Sequence, residues 1–259
     1  MQSLIFQEDS NVKRKVDETV MQKALTGFDK DDVLIGGQSI LFWCNHFDIN
    51  HDIKGALTDD IDVLGTQDSV FNIAEKTKGT AQVVPGTTFG TSLIGQVTVN
   101  VEAKIVIEID VLSKVLGVEK SEAIQFATPV TIHETSILVL NPLHCLKSKS
   151  FNYTKVLEKQ DEYGFVQAQL STKIANFYLL AIINDEDWDT AIQGIEYVHK
   201  LAASSIGKFC AKNGINIYDA IPVDNINLIN NKNFIEKRLP RLMDSISTHV
   251  QLINSAAKE

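Results

Sequence analysis

Three aspartates crowd the stretch TDDIDVLG, residues 58–65. Ile61, Val63 and Leu64 mark it as a short buried strand, and Asp60 and Asp62 stand two residues apart within it. On a strand, positions i and i+2 project to one face, about 7 Å apart. At a strand end facing a cleft, such a pair suits one or two Mg²⁺ ions. Mg²⁺ prefers carboxylate oxygen and keeps waters and substrate phosphates as its other ligands. Two such ions about 3.5–4 Å apart stabilise the attacking and leaving oxygens of phosphoryl or nucleotidyl transfer. Upstream, Val-Leu-Ile ends on Gly36-Gly37, and Ser39 follows. A strand that ends in Gly-Gly and turns into a helix lets phosphate oxygens approach backbone N–H groups. A plainer reading stands beside each: a solvent-facing strand edge for Asp60 and Asp62, an ordinary tight turn for the glycines.

The elements that must position these residues follow from periodicity. Residues 11–27 repeat apolar positions at helical spacing. Residues 33–35 and 61–65 read as strands, 38–47 and 68–78 as helices. The Gly- and Thr-rich segment 80–95 reads as turns joining short strands. VTVNVEAKIVIEIDVL, 97–112, alternates with period two: its odd positions are mostly apolar, Val97, Val99, Ile107 and Ile109 among them, and Glu108 and Asp110 are among the even ones. That is one long strand, or two with a turn near Ala103. Asp110, and after it Glu108, is the candidate third carboxylate; a wet face of an antiparallel sheet explains both equally simply. A further strand is expected over 123–133. Beyond Asn141-Pro142 the periods are helical at 160–182, 187–213 and 232–254, with an Asn-rich loop at 225–233. The expectation is an α/β domain over residues 1–138 with a mixed sheet, then a helical C-terminal domain over 139–259.

Composition limits the classes. With 44% apolar and 22% charged residues, the chain has the make-up of a soluble globule. Its net charge of -9 does not suit a broad phosphate-neutralising surface; the nearest basic groups are Lys13-Arg14-Lys15 and Lys232, Lys237, Arg238 and Arg241. Cys44, Cys145 and Cys210 are odd in number and far apart, which fits a reducing cytoplasm better than disulfides or a thiolate zinc site. The N-terminal residues lack the order of a signal peptide, and no apolar run approaches a membrane span, so a cytoplasmic location is expected. His46, Asp48, His51 and Asp52 fit no zinc spacing and read as a polar loop. His133-Glu134 and His144-Cys145 show no nucleophile–base logic. Phe42 and Trp43 read as core.

Taken in order, IGGQSILFW and TDDIDVLG resemble the nucleotidyltransferase superfamily of the DNA polymerase β type. Gly-Gly followed by a small polar residue and an apolar one is most similar to its AbiEii toxin-like branch, found in bacterial abortive-infection and toxin–antitoxin systems. That branch continues with a Ser-Pro-x-x-Leu-x-x-x-Lys segment and a later Asp. LNPLHCLKSKSF and EKQDEYG offer Pro142, Lys149 and Asp161 at those places. The resemblance covers residues 33–165. It implies a nucleotidyltransferase-like α/β fold and an Mg²⁺-dependent transfer of NMP from an NTP, with a tRNA 3′ end or a protein as acceptor and an antitoxin as partner. It implies metal ligation by Asp60, Asp62 and Asp110, nucleotide binding by Gly36, Gly37, Ser39 and Lys149, and catalytic roles for Asp60, Asp62, Lys149 and Asp161. The plain readings are a surface lysine and a helix-opening acid for the last two. Two departures stand out: VLEKQ replaces the usual Arg-rich stretch, and 45–57 is an insertion between the glycines and the acids. They motivate a second expectation, a binding or regulatory module that no longer catalyses. A small-molecule (antibiotic) acceptor is the remaining alternative.

Overall fold

The structure is a computed structural model and describes residues 18–50, 60–85, 91–102, 105–132 and 135–256. The described residues divide into two compact units. The first lies within Met1–Leu34, Thr58–Ser113 and Pro129–Leu138, the second within Ile35–Leu57, Lys114–Thr128 and Val139–Glu259.

Seven strands form one mixed sheet in the order β3-β4-β5-β2-β1-β7-β6. They are β1 (Val33–Ile35), β2 (Ile61–Leu64), β3 (Thr80–Val83), β4 (Leu93–Glu102), β5 (Ile105–Leu112), β6 (Thr128–Ile132) and β7 (Thr135–Val139). The 97–112 alternation resolves as two strands: β4 and β5 pair antiparallel, Val97 opposite Ile109 and Val99 opposite Ile107. β5 then pairs parallel with β2, Ile61 beside Ile109 and Val63 beside Val111. These odd-numbered residues are buried, and α3 (Gln67–Thr77) covers them, with Val70 close against Gly95 of β4. Alternation of this kind, one apolar face under a helix and one polar face, is what an antiparallel sheet edge requires.

The link from β1 to this helix layer is a buried acid. Asp32, 2% exposed, accepts hydrogen bonds from the Ser69 hydroxyl on α3 at 2.6 Å and from the Asp29 backbone N–H at 2.7 Å. Asp32→Ala strands both donors, and a buried unpaired donor costs about 1–3 kcal/mol. The expected loss, read as a urea-unfolding midpoint, is about 2 kcal/mol or more, with Asp32→Asn milder because it keeps one acceptor. A wild-type midpoint in Asp32→Ala would refute this anchor.

The second unit is helical. It contains α2 (Gly36–His46), α4 (Lys120–Gln125), α5 (Pro142–Lys155), α6 (Glu162–Asn184), α7 (Trp188–Ala203), α8 (Ser205–Lys212) and α9 (Leu239–Ala256). Its helix starts carry the expected polar caps: Asn141, Asp161, Asp187 and Ser204 each accept from a backbone N–H in the first turn. One continuous core runs from Leu146 of α5 through Leu179 of α6 and Ile195 of α7 to Leu242 of α9. Trp43 of α2 is 2% exposed and donates its indole N–H to the Leu140 carbonyl at 2.8 Å, as a core tryptophan should.

Four local expectations need correction or completion. The strand expected over 123–133 is the helix α4 followed by β6, because the polar run KSEAIQ turns as a helix before the β-branched TPVTI. β7 was not anticipated. The Asn-rich loop contains a 3₁₀ turn over Val223–Leu228. The helix expected from residue 11 is α1 (Glu18–Leu25), its earlier part lying outside the described residues, as do Lys13-Arg14-Lys15, His51, Asp52, the turn near Ala103 and His133-Glu134.

Candidate functional site: an acidic row on the sheet

The polar face of the first unit is built by register. Parallel pairing sets Asp62 of β2 directly beside Asp110 of β5, about 4.8 Å apart between neighbouring strands. Side chains of paired residues share a face, so both carboxylates project to the side away from α3. Antiparallel pairing sets Gln96 of β4 beside Asp110, and the Gln96 side-chain amide donates to Asp110 Oδ1 at 2.8 Å. The next row repeats the pattern one step along, with Thr98 beside Glu108 and Asp60 entering two residues before Asp62. Asp60, Asp62, Glu108 and Asp110 are all half-buried. Asp62, Glu108 and Asp110, on two adjacent strands, therefore share one face of the sheet, and Asp60 stands in the bend just before β2. Among the described residues, no group of three or more His, Cys, Asp or Glu is already drawn in as a metal cage. What the register provides is a carboxylate pair on neighbouring strands, an oxygen donor set of the kind Mg²⁺ takes.

Gln96 is the residue that sequence reasoning missed. It lies just before the alternating run, on the same parity as Glu108 and Asp110, so the signal existed in the pattern. Its partner depended on which strand pairs with which.

The other candidates belong to the second unit. Gly36 opens α2 directly after β1 with φ +70°, a backbone conformation that favours glycine. Gly37 and Ser39 are buried in the first turn. The Ser39 hydroxyl donates back to the Gly36 carbonyl at 3.0 Å and lies 3.6 Å from Cys145 Sγ of α5. Lys149 stands one turn after Cys145 on α5 and acts electrostatically on its thiol, so Ser39 and Lys149 come together around Cys145. Lys149 is only 8% exposed and donates to Gln167 Oε1 at 2.8 Å. It is not the surface lysine of the plainer reading. Asp161 is exposed and caps α6, accepting the Gly164 N–H at 2.8 Å, which is the helix-opening role.

The cysteines are free and buried. Burial pushes the Cys145 thiol up to about 12, against the opposing pull of Ser39 and Lys149, and the Cys44 thiol up to about 11. Neither is a thiolate near neutrality, so neither is an activated nucleophile. Of the late basic residues, Arg238 pairs with Glu196 and Lys232 with Glu236, which lessens what they offer a nucleic acid. No described helix is long and apolar enough to cross a membrane.

Two histidines make a pH prediction. Burial lowers His144 below its ordinary 6.5, outweighing the upward pull of Glu122, with Lys147 adding to the depression; burial alone lowers His249. A depressed histidine binds its proton more readily in the unfolded chain, so its contribution to stability is complete above 6.5 and lost as pH falls through the folded value. The urea midpoint should drop between about pH 7.5 and about pH 5, and drop less in His144→Gln. Asp219, raised by burial, acts in the opposite sense. A midpoint independent of pH in this window would refute the assignment.

Comparison with protein-family models, curated proteins and solved structures found no match for this chain.

Proposed function

We propose that the chain is an Mg²⁺-dependent nucleotidyltransferase. The observation that carries this reading is the register of β2 with β5, which makes neighbours of Asp62 and Asp110, two acids 48 residues apart in sequence. An acidic strand face is often only a wet face. Here acids fall beside each other on adjacent parallel strands, and hard carboxylate oxygens are the preferred ligands of a divalent cation such as Mg²⁺.

In this reading Asp62 and Asp110 hold the metal, Asp60 adds a carboxylate from two residues before, and Gln96 fixes the orientation of Asp110. Bound Mg²⁺ would neutralise the triphosphate and the developing charge on the reacting oxygens. The acceptor oxygen attacks the α-phosphorus of an NTP, the bond from that phosphorus to the bridging oxygen breaks, and pyrophosphate leaves. The acceptor proton passes to water or to a carboxylate of the row. Gly36, Gly37, Ser39 and Lys149 belong to the second unit, where Gln167 holds Lys149. The acceptor would be a tRNA 3′ end or a protein hydroxyl, with a small molecule as the alternative. With an acceptor of the first two kinds the activity can be toxic, and a cognate antitoxin is then the expected partner.

A second reading has its own support. Asp110 is held by Gln96 and Asp161 caps a helix, so both acids already have structural work. A fold that binds nucleotide without turnover would use them so. The deciding experiment supplies each α-labelled NTP with Mg²⁺ to the purified protein, alone, with total tRNA, and with a panel of hydroxyl-bearing small molecules. Label on tRNA, on the protein or on a small molecule establishes transfer and names the acceptor class. Mg²⁺-dependent nucleotide binding without label supports the module. Neither binding nor label rejects both.

A further inference from the structure

The second unit contains a cavity of about 370 Å³ that the acidic row does not use. It opens between α4, α5, α6 and α7. Its wall is aromatic: Phe126, His144, Tyr178 and Tyr197 line it. The His144 ring meets Phe126 at 5.9 Å on one side and Tyr197 at 5.8 Å on the other. Phe126 is 54% exposed at the end of α4, on the rim of the cavity.

Two polar atoms in this wall are buried without a partner: His144 Nδ1 and the Tyr197 hydroxyl. His144 is 6% exposed. Such atoms cost free energy unless something satisfies them, and each one in a folded protein calls for a physical reason. Nearby Asn141 is satisfied, donating to the Tyr178 hydroxyl at 3.0 Å, so the deficit is local to the His144–Tyr197 wall.

Charge narrows the ligand. Among the described residues, Glu122 is the one acidic or basic side chain besides His144 that lines the cavity. Its carboxylate acts on both His144 and Tyr197, and on His144 it outweighs the opposing charge of Lys147. Lys147 lies over the Tyr197 ring at 5.7 Å and is not part of the lining. A carboxylate inside a wall of aromatic rings repels anions and attracts cations, both by direct charge and through the negative faces of the rings. The volume is at the small end of ligand pockets, enough for one ring and a short arm.

We propose that this cavity binds a small organic cation, an ammonium group on an aromatic or apolar body. The site stands whether or not the acidic row is catalytic, because it rests on residues of the helical unit alone.

The test uses three probes of one shape and different charge: 2-phenylethylammonium, 2-phenylethanol and 3-phenylpropanoate. Each is titrated into the full chain at neutral pH and followed by saturation-transfer NMR and calorimetry. The cation is expected to bind, with the alcohol weaker by about tenfold and the carboxylate weaker still. Glu122→Gln should weaken the cation by about tenfold and erase the difference from the alcohol. Phe126→Ala, at an exposed position, should weaken all three by about fivefold. Failure of the cation to bind, equal binding of all three probes, or binding unchanged in Glu122→Gln would each overturn the proposal. The charge series on the unaltered protein reads the result even where a variant folds poorly.

Discussion

Asp62→Ala is expected to fold as the wild type does and to lose nucleotide transfer by about 10²- to 10³-fold, the scale seen when one preorganised charge-stabilising group is removed. The argument is positional. Asp62 sits in β2 between the buried Ile61 and Val63, while its own side chain is half-buried on the opposite face. Truncation therefore removes a carboxylate without opening the core. Asp110→Asn should lose a comparable factor, because it keeps a side-chain oxygen for Gln96 and removes the charge. Mg²⁺ supplies a readout that needs no acceptor. A cation bound only by the folded protein stabilises it by mass action, so Mg²⁺ should raise the melting temperature of the wild type and leave that of Asp62→Ala unmoved. Equal Mg²⁺ shifts in both proteins would place the metal elsewhere. Transfer retained in Asp62→Ala would end the catalytic assignment of this face.

Leu179→Ala is expected to cost about 2–5 kcal/mol in unfolding free energy, the range for deleting a buried leucine side chain where the site cannot collapse. Leu179 of α6 is fully buried. Its Cδ2 fills the notch beside Gly194 of α7, only 2.5 Å from where a β-carbon on that glycine would lie. Helix–helix packing this close needs the glycine, and Leu143 of α5 is the other side chain at the same notch. Leu157→Ala, at a residue 77% exposed, is the control and should change stability by less than about 0.5 kcal/mol. Urea titration of the three proteins decides it. A loss below about 1 kcal/mol for Leu179→Ala would mean that the α6–α7 contact relaxes more freely than its geometry indicates.

Much of the architecture was legible because its causes are local. Val33–Ile35 and Ile61–Leu64 are continuous or alternating apolar runs, and both are strands. The period-two run at 97–112 predicted buried odd and polar even positions, and Val97, Ile107 and Ile109 are buried while Glu108 and Asp110 are not. The helical character after Asn141 followed from apolar spacing and from Pro142 at the first turn of α5. The miss at 123–133 also has a local cause. KSEAIQ is too short for periodicity to separate a helix turn from a strand, and length alone could not arbitrate.

The candidate residues divide in the same way. Asp60 and Asp62 were expected on one face from the chain alone, since i and i+2 on a strand share a face, but Asp60 stands in the bend before β2 and only Asp62 is on the strand. Gly36 could be read as a turn residue, and its φ of +70° agrees. That Asp110 lies beside Asp62, and that Gln96 holds it, required the register between strands far apart in sequence. A slip of one residue in that pairing would have turned every acid to the other face. His144 looked unremarkable beside Cys145. Its meaning came from α4 and α7, which bring Phe126, Glu122 and Tyr197 around it. By itself, then, the sequence determined which residues face together along one element, because side-chain direction repeats with the period of that element. Only the tertiary structure decided which elements meet, because pairing register and helix packing are set by the summed burial of residues that no local spacing connects.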